Sequence, residues 1–157
     1  MHSLSEAVNE KIEHARRLYH RLVLLVGEQG AGKTGALKEV AECTGATLVN
    51  VNLELSLRLL DLAERQRPRH VQLLLEEIAA GTGSAVVLLD NIELLFDVSL
   101  RQDPLRLLQH LSRRRTVVVA WNGSIEDGSI RYSEPRHPEY RHYPMDGILT
   151  VSAEAVT

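Results

Sequence analysis

The sequence predicts an α/β domain of three layers, in which a mainly parallel five-stranded sheet lies between helices. Two observations carry this prediction. Apolar runs such as residues 22–26 and 116–121 lack the polar alternation of half-exposed strands, as is typical of parallel strands buried on both faces. Segments of helical periodicity separate these runs, and strands that alternate with helices form a mainly parallel sheet. The length of 157 residues favours one domain over residues 1–157.

The predicted elements follow one another along the chain. A capping box at Ser3 and Glu6 marks the first helix, and Pro68 starts a fresh helix within a longer helical region. The predicted helices cover residues 4–20, 33–43, 55–80 and 104–111. The predicted strands cover residues 22–26, 47–52, 85–90, 116–121 and 148–152. Residues 122–144 hold three of the five prolines and predict a loop before the last strand. We expect no C-terminal helical lid domain, because few residues follow that strand in this sequence.

Composition excludes several classes of protein. The 44% of hydrophobic and 25% of charged residues are typical of a soluble globular chain. The single cysteine, Cys43, excludes a disulfide framework and favours a reducing cytoplasm. No apolar run approaches the roughly 20 residues that cross a bilayer, so no membrane partner is predicted. The net charge of -3 argues against nucleic-acid binding through a uniformly basic surface.

A glycine-rich segment carries the main chemical signal. Residues 27–34 match the P-loop pattern G-x-x-x-x-G-K-[ST] between a buried strand and a helix. Glycines let successive N–H groups point at phosphate oxygens, and the helix start adds a positive dipole end. Lys33, taken as a solvent-facing charge, neutralises phosphate, and the Thr34 hydroxyl holds Mg²⁺. The segment therefore predicts a site for Mg²⁺ and ATP, formed by Gly27, Glu28, Gln29, Gly30, Ala31, Gly32, Lys33, Thr34 and Gly35.

Polar residues follow the third predicted strand. Asp90 ends this strand and is the expected second metal-side residue beside Thr34, although an aspartate here could simply cap a helix. Many ATPases of this type place a glutamate directly after that aspartate to orient the attacking water. Asn91 stands there instead, and asparagine cannot accept a proton from water. Either Glu93 substitutes from a displaced position, or hydrolysis is slow.

Together these features resemble the core of AAA+ and closely related P-loop ATPases, over residues 4–153. The resemblance implies that Asn122, after the fourth strand, lies between the metal site and the γ-phosphate. It also implies that Arg131, Arg136 or Arg141, in the predicted loop, acts as an arginine finger on a neighbouring subunit's nucleotide, which requires a homo-oligomer. The alternatives are a turn asparagine and solvated surface arginines.

Four further stretches resemble the BrxF family, the small P-loop proteins of type 3 BREX phage-exclusion systems. These stretches are residues 51–56, 64–67, 89–96 and 134–141. The resemblance implies a cytoplasmic role in bacterial antiviral defence, beside a DNA methyltransferase and other BREX proteins.

The leading hypothesis is an ATP-binding and ATP-hydrolysing protein that self-associates and acts as a motor or switch subunit. A non-hydrolysing, nucleotide-dependent adaptor is the first alternative, favoured by Asn91. A small-molecule kinase also fits a P-loop in a short chain, but no arginine-rich lid is evident. A DNA-binding module is permitted by Arg65, Arg67, Arg69 and residues 113–115, with little support from the net charge.

Overall fold

The structure, a computed structural model, describes residues 3–132 and 141–153. The helices are α1 (Leu4–Ala15), α2 (Lys33–Thr44), α3 (Val51–Leu59), α4 (Arg67–Gly81) and α5 (Pro104–Leu111). The strands are β1 (Leu22–Gly27), β2 (Thr47–Asn50), β3 (Val86–Asp90), β4 (Thr116–Glu126), β5 (Ser129–Tyr132), β6 (Arg141–Pro144) and β7 (Leu149–Ser152). Short 3₁₀ turns cover Glu64–Gln66, Glu93–Phe96 and Val98–Leu100.

The sheet confirms the predicted fold class. Five strands pair in the order β2-β3-β4-β1-β7, and every pairing among them is parallel. All six residues of β1 are buried, as the unbroken apolar run predicts for a central parallel strand. Because the strands run in one direction, the carboxyl ends of β1, β2 and β3 meet at one edge of the sheet, and β4 passes this edge at Asn122, which pairs with Gly27.

Helices cover both faces of the sheet and complete the three layers. One core packs α1 and α2 against the first face, through residues such as Ile12 and Leu37. The other core packs α3, α4 and α5 against the second face, through residues such as Leu55, Leu75 and Leu108. None of the helices within residues 3–132 and 141–153 is both long enough and apolar enough to cross a membrane.

Three predicted boundaries are wrong: the end of the first helix, the end of the second strand, and the start of the next helix, which lies at Val51 and not at residue 55. The first helix ends at Ala15, and residues 16–20 form turns that lead into β1. Strand β2 ends at Asn50, whose side chain accepts a hydrogen bond from the backbone N–H of Leu53 and so caps α3. A capping asparagine starts a helix because it satisfies one of the free N–H groups of the first turn.

The predicted loop over residues 122–144 is wrong at both ends of that range. β4 continues to Glu126 and then pairs with β5, which pairs with β6, in an antiparallel extension of the sheet. The turn between β4 and β5 consists of Asp127 and Gly128, with φ values of 49° and 75°. An Asp-Gly pair with two positive φ angles is a strong local signal for a two-residue hairpin. Residues 133–140 lie outside the described part of the chain.

Candidate nucleotide site

The P-loop backbone has the shape that phosphate binding needs. Gly30 and Gly32 have φ values of 88° and 92°, in the left-handed region that favours glycine. Gly32 caps α2 without a side-chain hydrogen bond, and no acidic residue lies in the first turn of the helix. The first N–H groups of α2 therefore have no side-chain cap, and the positive end of the helix faces the loop. This arrangement fits an anion.

Lys33 lies inside the loop instead of facing solvent. Its side chain is buried, with 5% of the residue exposed. The Nζ atom donates hydrogen bonds of 2.7 Å to the carbonyl oxygens of Gly27 and Glu28. The expectation of a solvent-facing charge is therefore wrong, because a glycine-rich loop presents carbonyl oxygens to the lysine that follows it. Its ammonium group bridges the start of the loop to α2.

Thr34 and Asp90 lie side by side, although 56 residues separate them in the sequence. The Thr34 hydroxyl donates a 2.7 Å hydrogen bond to one oxygen of the Asp90 carboxylate. The other oxygen accepts a 2.9 Å hydrogen bond from the backbone N–H of Asn91. A hydroxyl beside a carboxylate offers the hard oxygen ligands that Mg²⁺ prefers.

The rest of the site also fits a magnesium ion held partly by a nucleotide. No group of three or more His, Cys, Asp or Glu side chains able to hold a metal occurs within residues 3–132 and 141–153. Mg²⁺ in phosphate-transferring enzymes is commonly held by one or two protein oxygens and by substrate phosphates, and not by a full protein cage. Thr34 and Asp90 match that smaller ligand set.

Asn91 turns the chain so that Glu93 returns to the site. Asn91 has a φ of 53°, a left-handed conformation that asparagine tolerates better than most residues. A 3₁₀ turn follows over Glu93–Phe96. The backbone N–H of Asn52 also holds the turn, through a 2.8 Å hydrogen bond to the carbonyl oxygen of Asn91. Glu93 lies two residues after the position directly following Asp90 at which an acid is expected. The turn brings its carboxylate back to the site.

Two amides hold the Glu93 carboxylate. The Nδ2 atom of Asn52, at the start of α3, donates to one carboxylate oxygen at 3.1 Å. The Nδ2 atom of Asn122, in β4, donates to the other oxygen at 3.2 Å. The Oδ1 atom of Asn52 also accepts a 2.8 Å hydrogen bond from the backbone N–H of Leu94. Glu93 is thus oriented from both sides by groups on different elements.

These side chains share one cavity of about 300 Å³. It is lined by Gln29, Gly30, Gly32, Lys33, Thr34, Gly35, Asp90, Asn91, Glu93 and Asn122. Three other predicted loop residues, Gly27, Glu28 and Ala31, do not line it. Gly27 instead approaches Ala153 so closely that a Cβ atom on Gly27 would lie 2.7 Å from the Ala153 Cβ atom.

Neither Arg131 nor Arg141 lines this cavity. Arg131 belongs to β5, and its guanidinium pairs with the Glu126 carboxylate on β4. Arg141 is the first residue of β6, opposite Tyr132. Arg136 lies outside the described residues. An arginine finger acts on a neighbouring subunit, so its role stays a prediction.

An aromatic cluster fixes the antiparallel extension next to the site. Phe96, at the end of the turn that begins with Glu93, stacks on Tyr132 with ring centroids 3.4 Å apart. Trp121 meets Phe96 edge to face, and its Nε1 atom donates a 3.1 Å hydrogen bond to the carbonyl oxygen of Arg131. Tyr143 joins Trp121 from β6. Burial and a hydrogen bond to Asp103 raise the pKa of Tyr143 well above its usual range.

Sequence reasoning about the site missed the role of Asn52. The signal was present, since Asn52 lies two residues after the end of β2 and Asp90 ends the neighbouring β3 strand. The register pairs Asn50 with Asp90, which brings the start of α3 beside the acidic turn. Without the strand order, nothing in the sequence shows that β2 and β3 are neighbours.

The loop, the parallel sheet and the polar strand ends define a P-loop nucleotide-binding domain. Residues 23–119 match the family described as "ATPase family associated with various cellular activities (AAA)". This match covers more than half of the chain, and the protein therefore belongs to the AAA family of ATPases.

The structure is similar to that of C. elegans PCH-2, with 17% sequence identity and a TM-score of 0.41. The similarity covers 95% of this chain and 40% of the PCH-2 chain. No curated protein matches the sequence.

Proposed function

We propose that the protein binds Mg²⁺-ATP in the P-loop cavity and hydrolyses it, with Glu93 as the group that activates water. The observation that carries this proposal is the Glu93 carboxylate, oriented by Asn52 and Asn122 and lining the same cavity as Lys33 and Thr34. A carboxylate held on both sides and placed next to a phosphate-binding loop can position a water molecule for attack.

The P-loop residues bind and neutralise the phosphates. Lys33 exchanges its carbonyl contacts at Gly27 and Glu28 for phosphate oxygens, while the first N–H groups of α2 point at the same charge. Thr34 and Asp90 would hold Mg²⁺, which supplies positive charge where negative charge develops on the phosphates. The half-buried setting strengthens these interactions relative to water.

Glu93 keeps the capacity to accept a proton. A carboxylate has about four lone-pair sites, and the two amides use only two of them. General-base catalysis of this kind contributes roughly 10²–10⁴-fold to a rate. Asn122 lies within β4 beside Glu93, where its amide can also contact the terminal phosphate.

A non-hydrolysing adaptor is the second candidate. The position next to Asp90 belongs to Asn91, and both Glu93 oxygens already accept hydrogen bonds. In such a protein Glu93 would serve only to fix the turn over residues 91–94, and bound ATP would persist.

The experiment compares Glu93→Gln with the wild type in both ATP binding and phosphate release. We expect unchanged affinity for ATP and a loss of phosphate release of about 10²–10⁴-fold. Glu77→Gln, at an exposed position on α4, makes the same chemical change away from the site and should leave both unchanged. ATP binding with phosphate release at background level, in the wild type and in Glu93→Gln alike, would favour the adaptor.

The assembly is a further part of the proposal. The protein self-associates, and Arg131, Arg136 or Arg141 completes the site of a neighbouring copy. The resemblance to the BrxF family supports a cytoplasmic role as a motor or switch subunit in bacterial BREX defence, with other defence proteins as partners. Phosphate release per molecule should rise with protein concentration, and one of the variants Arg131→Ala, Arg136→Ala and Arg141→Ala should abolish the rise. A flat response in the wild type would contradict self-completion.

A further inference from the structure

A basic surface lies at the edge of the sheet opposite the nucleotide site. Arg21 directly precedes β1 and Arg115 directly precedes β4, whereas the P-loop follows β1. Both mark the amino ends of parallel strands. The Arg21 guanidinium donates a 3.0 Å hydrogen bond to the carbonyl oxygen of Arg113, so these two segments pack together.

The three consecutive arginines after α5 have different surroundings. Arg115 has a side chain only 12% exposed and makes two hydrogen bonds, of 3.2 and 2.8 Å, to the carboxylate of Glu76. Arg114 has a side chain 77% exposed and lies 3.8 Å from the same carboxylate. Arg113 is exposed and lies over the ring of Tyr19, at 4.9 Å from the ring centroid. Arg115 therefore neutralises Glu76, while Arg113 and Arg114 present charge to solvent.

Two adjoining cavities extend this charge across three segments of the chain. The first, of about 310 Å³, is lined by Tyr19, His110, Arg113 and Arg114. The second, of about 420 Å³, shares His110 and Arg114 with the first and reaches Arg69 on α4. Glu76 is the acidic residue that lines it, and Arg115 already pairs with that carboxylate. The two cavities form one groove with a net positive lining, although the whole chain carries a net charge of -3.

Helix dipoles do not explain all of these positions. Cations at the end of α5 are favourable, because the carboxyl end of a helix is negative. Arg69 lies in the first turn of α4, where the dipole favours acids, and that turn contains no acidic residue. Burial lowers the pKa of His20, and the charge of Arg113 acts in the same direction.

Tyr19 adds an aromatic surface to the charge. The residue is 68% exposed and is the most exposed aromatic side chain within residues 3–132 and 141–153. Exposed aromatic rings beside arginines are the elements with which proteins hold single-stranded nucleic acids, through base stacking and phosphate contacts. In a duplex the bases are already stacked and cannot reach such a ring.

We propose that this groove binds a single-stranded nucleic acid, with Arg69, Arg113 and Arg114 on successive phosphates and Tyr19 against a base. Neutralising three phosphates of a single strand predicts a plot of log affinity against log salt with a slope of about -2. The site is separate from the ATP cavity, so binding requires no nucleotide.

The test measures binding of a fluorescent oligothymidylate to the full chain by anisotropy, at several salt concentrations. The double variant Arg113→Gln/Arg114→Gln should bind at least tenfold more weakly at low salt, with a slope closer to zero by about 1.4. The control, Arg65→Gln/Arg101→Gln, removes the same charge from a separate cavity of about 710 Å³ and should match the wild type. Thermal unfolding of both variants checks that they fold.

Two further measurements distinguish the partner. Tyr19→Leu should weaken binding of the single strand by roughly five- to 150-fold. Tyr19→Phe should bind the single strand as tightly as the wild type does, because stacking needs only the ring. A duplex of the same length should bind more weakly than the single strand. The proposal is overturned if the arginine variant and its control bind alike. It is also overturned if the duplex binds as tightly as the single strand, or if phosphatidylserine vesicles bind as tightly as the oligonucleotide.

Discussion

Replacing Asn52 by alanine tests whether the amide pair orients Glu93 for catalysis. The change removes the 3.1 Å hydrogen bond to the Glu93 carboxylate and the 2.8 Å hydrogen bond from the backbone N–H of Leu94. The backbone N–H of residue 52 still reaches the carbonyl oxygen of Asn91, so the turn keeps one of its three links to α3. Of the two amides that hold the Glu93 carboxylate, the variant keeps only that of Asn122.

The magnitude follows from the groups that lose partners. A hydrogen bond to a charged group contributes about 1.5–3 kcal/mol, and an unpaired buried donor costs about 1–3 kcal/mol. Asn52, Glu93 and Leu94 are half-buried, so water replaces part of what is lost, which favours the low end of both ranges. We expect the free energy of unfolding to fall by about 2–3 kcal/mol. A misplaced carboxylate should lower kcat by roughly 10–100-fold, with ATP affinity unchanged.

Asn50→Ala is the matched control, because Asn50 caps the same helix without contacting Glu93. It should cost about 1 kcal/mol of stability and leave kcat unchanged. The assays are urea unfolding and steady-state phosphate release for both variants. The reasoning is refuted if Asn52→Ala keeps the wild-type kcat, or if Asn50→Ala lowers kcat by the same factor.

Three further predictions concern the loop, the turn and an ion pair. Lys33→Ala should abolish detectable ATP binding, and it should lower the free energy of unfolding by about 1–3 kcal/mol because two loop carbonyls lose their donor. Calorimetric titration measures the binding, and urea unfolding measures the stability. Unchanged ATP binding would contradict the proposed nucleotide site. Asn91→Gly should retain phosphate release, because glycine tolerates the left-handed conformation of this turn. Asn91→Val should lower the free energy of unfolding by about 1–3 kcal/mol, because a β-branched residue is strained there. Equal urea midpoints for the two variants would contradict this prediction. Hydrogen bonds and charge from Arg115 lower the pKa of Glu76, so the pair stabilises the fold above the unfolded pKa of about 4.3 and this contribution is lost as pH falls through the lower folded pKa. Arg115→Ala should therefore cost about 1.5–3 kcal/mol at pH 7 and less at pH 3, and a gap that is constant with pH would argue against the pair.

Much of the fold could be predicted from the sequence, because its signals are local and agree with one another. The unbroken apolar run of β1 and the proline that opens α5 place both elements, and the bounds of α5 coincide with the prediction. The P-loop pattern likewise predicts a turn between a strand and a helix. The antiparallel extension could not be predicted in the same way, since the prolines of residues 122–144 outweighed the Asp127-Gly128 turn.

The candidate site could be predicted only as far as single elements allow. The sequence pattern predicts Lys33, Thr34, Asp90 and Glu93 for the site, and the resemblance to AAA+ ATPases adds Asn122. The structure brings these residues to one cavity. The hydrogen bonds from Asn52 and Asn122 to Glu93 depend on which strands are neighbours in the sheet, and the order of strands is not a local property of the sequence. Asn52 therefore shows its role only when β2 lies beside β3.

The antiparallel extension also sets the position of Asn122. β4 is continuous through the site, so Asn122 is followed at once by Gly123, which pairs with Tyr132. A Cβ atom on Gly123 would lie 1.7 Å from the carbonyl oxygen of Arg131, a contact that neither strand could accommodate. Glycine at this position thus lets β5 approach, and the Trp121 Nε1 atom donates a hydrogen bond to the same carbonyl oxygen of Arg131. The amide of Asn122 reaches Glu93 because the strand on both sides of it is paired, which makes the hairpin a structural part of the candidate catalytic site.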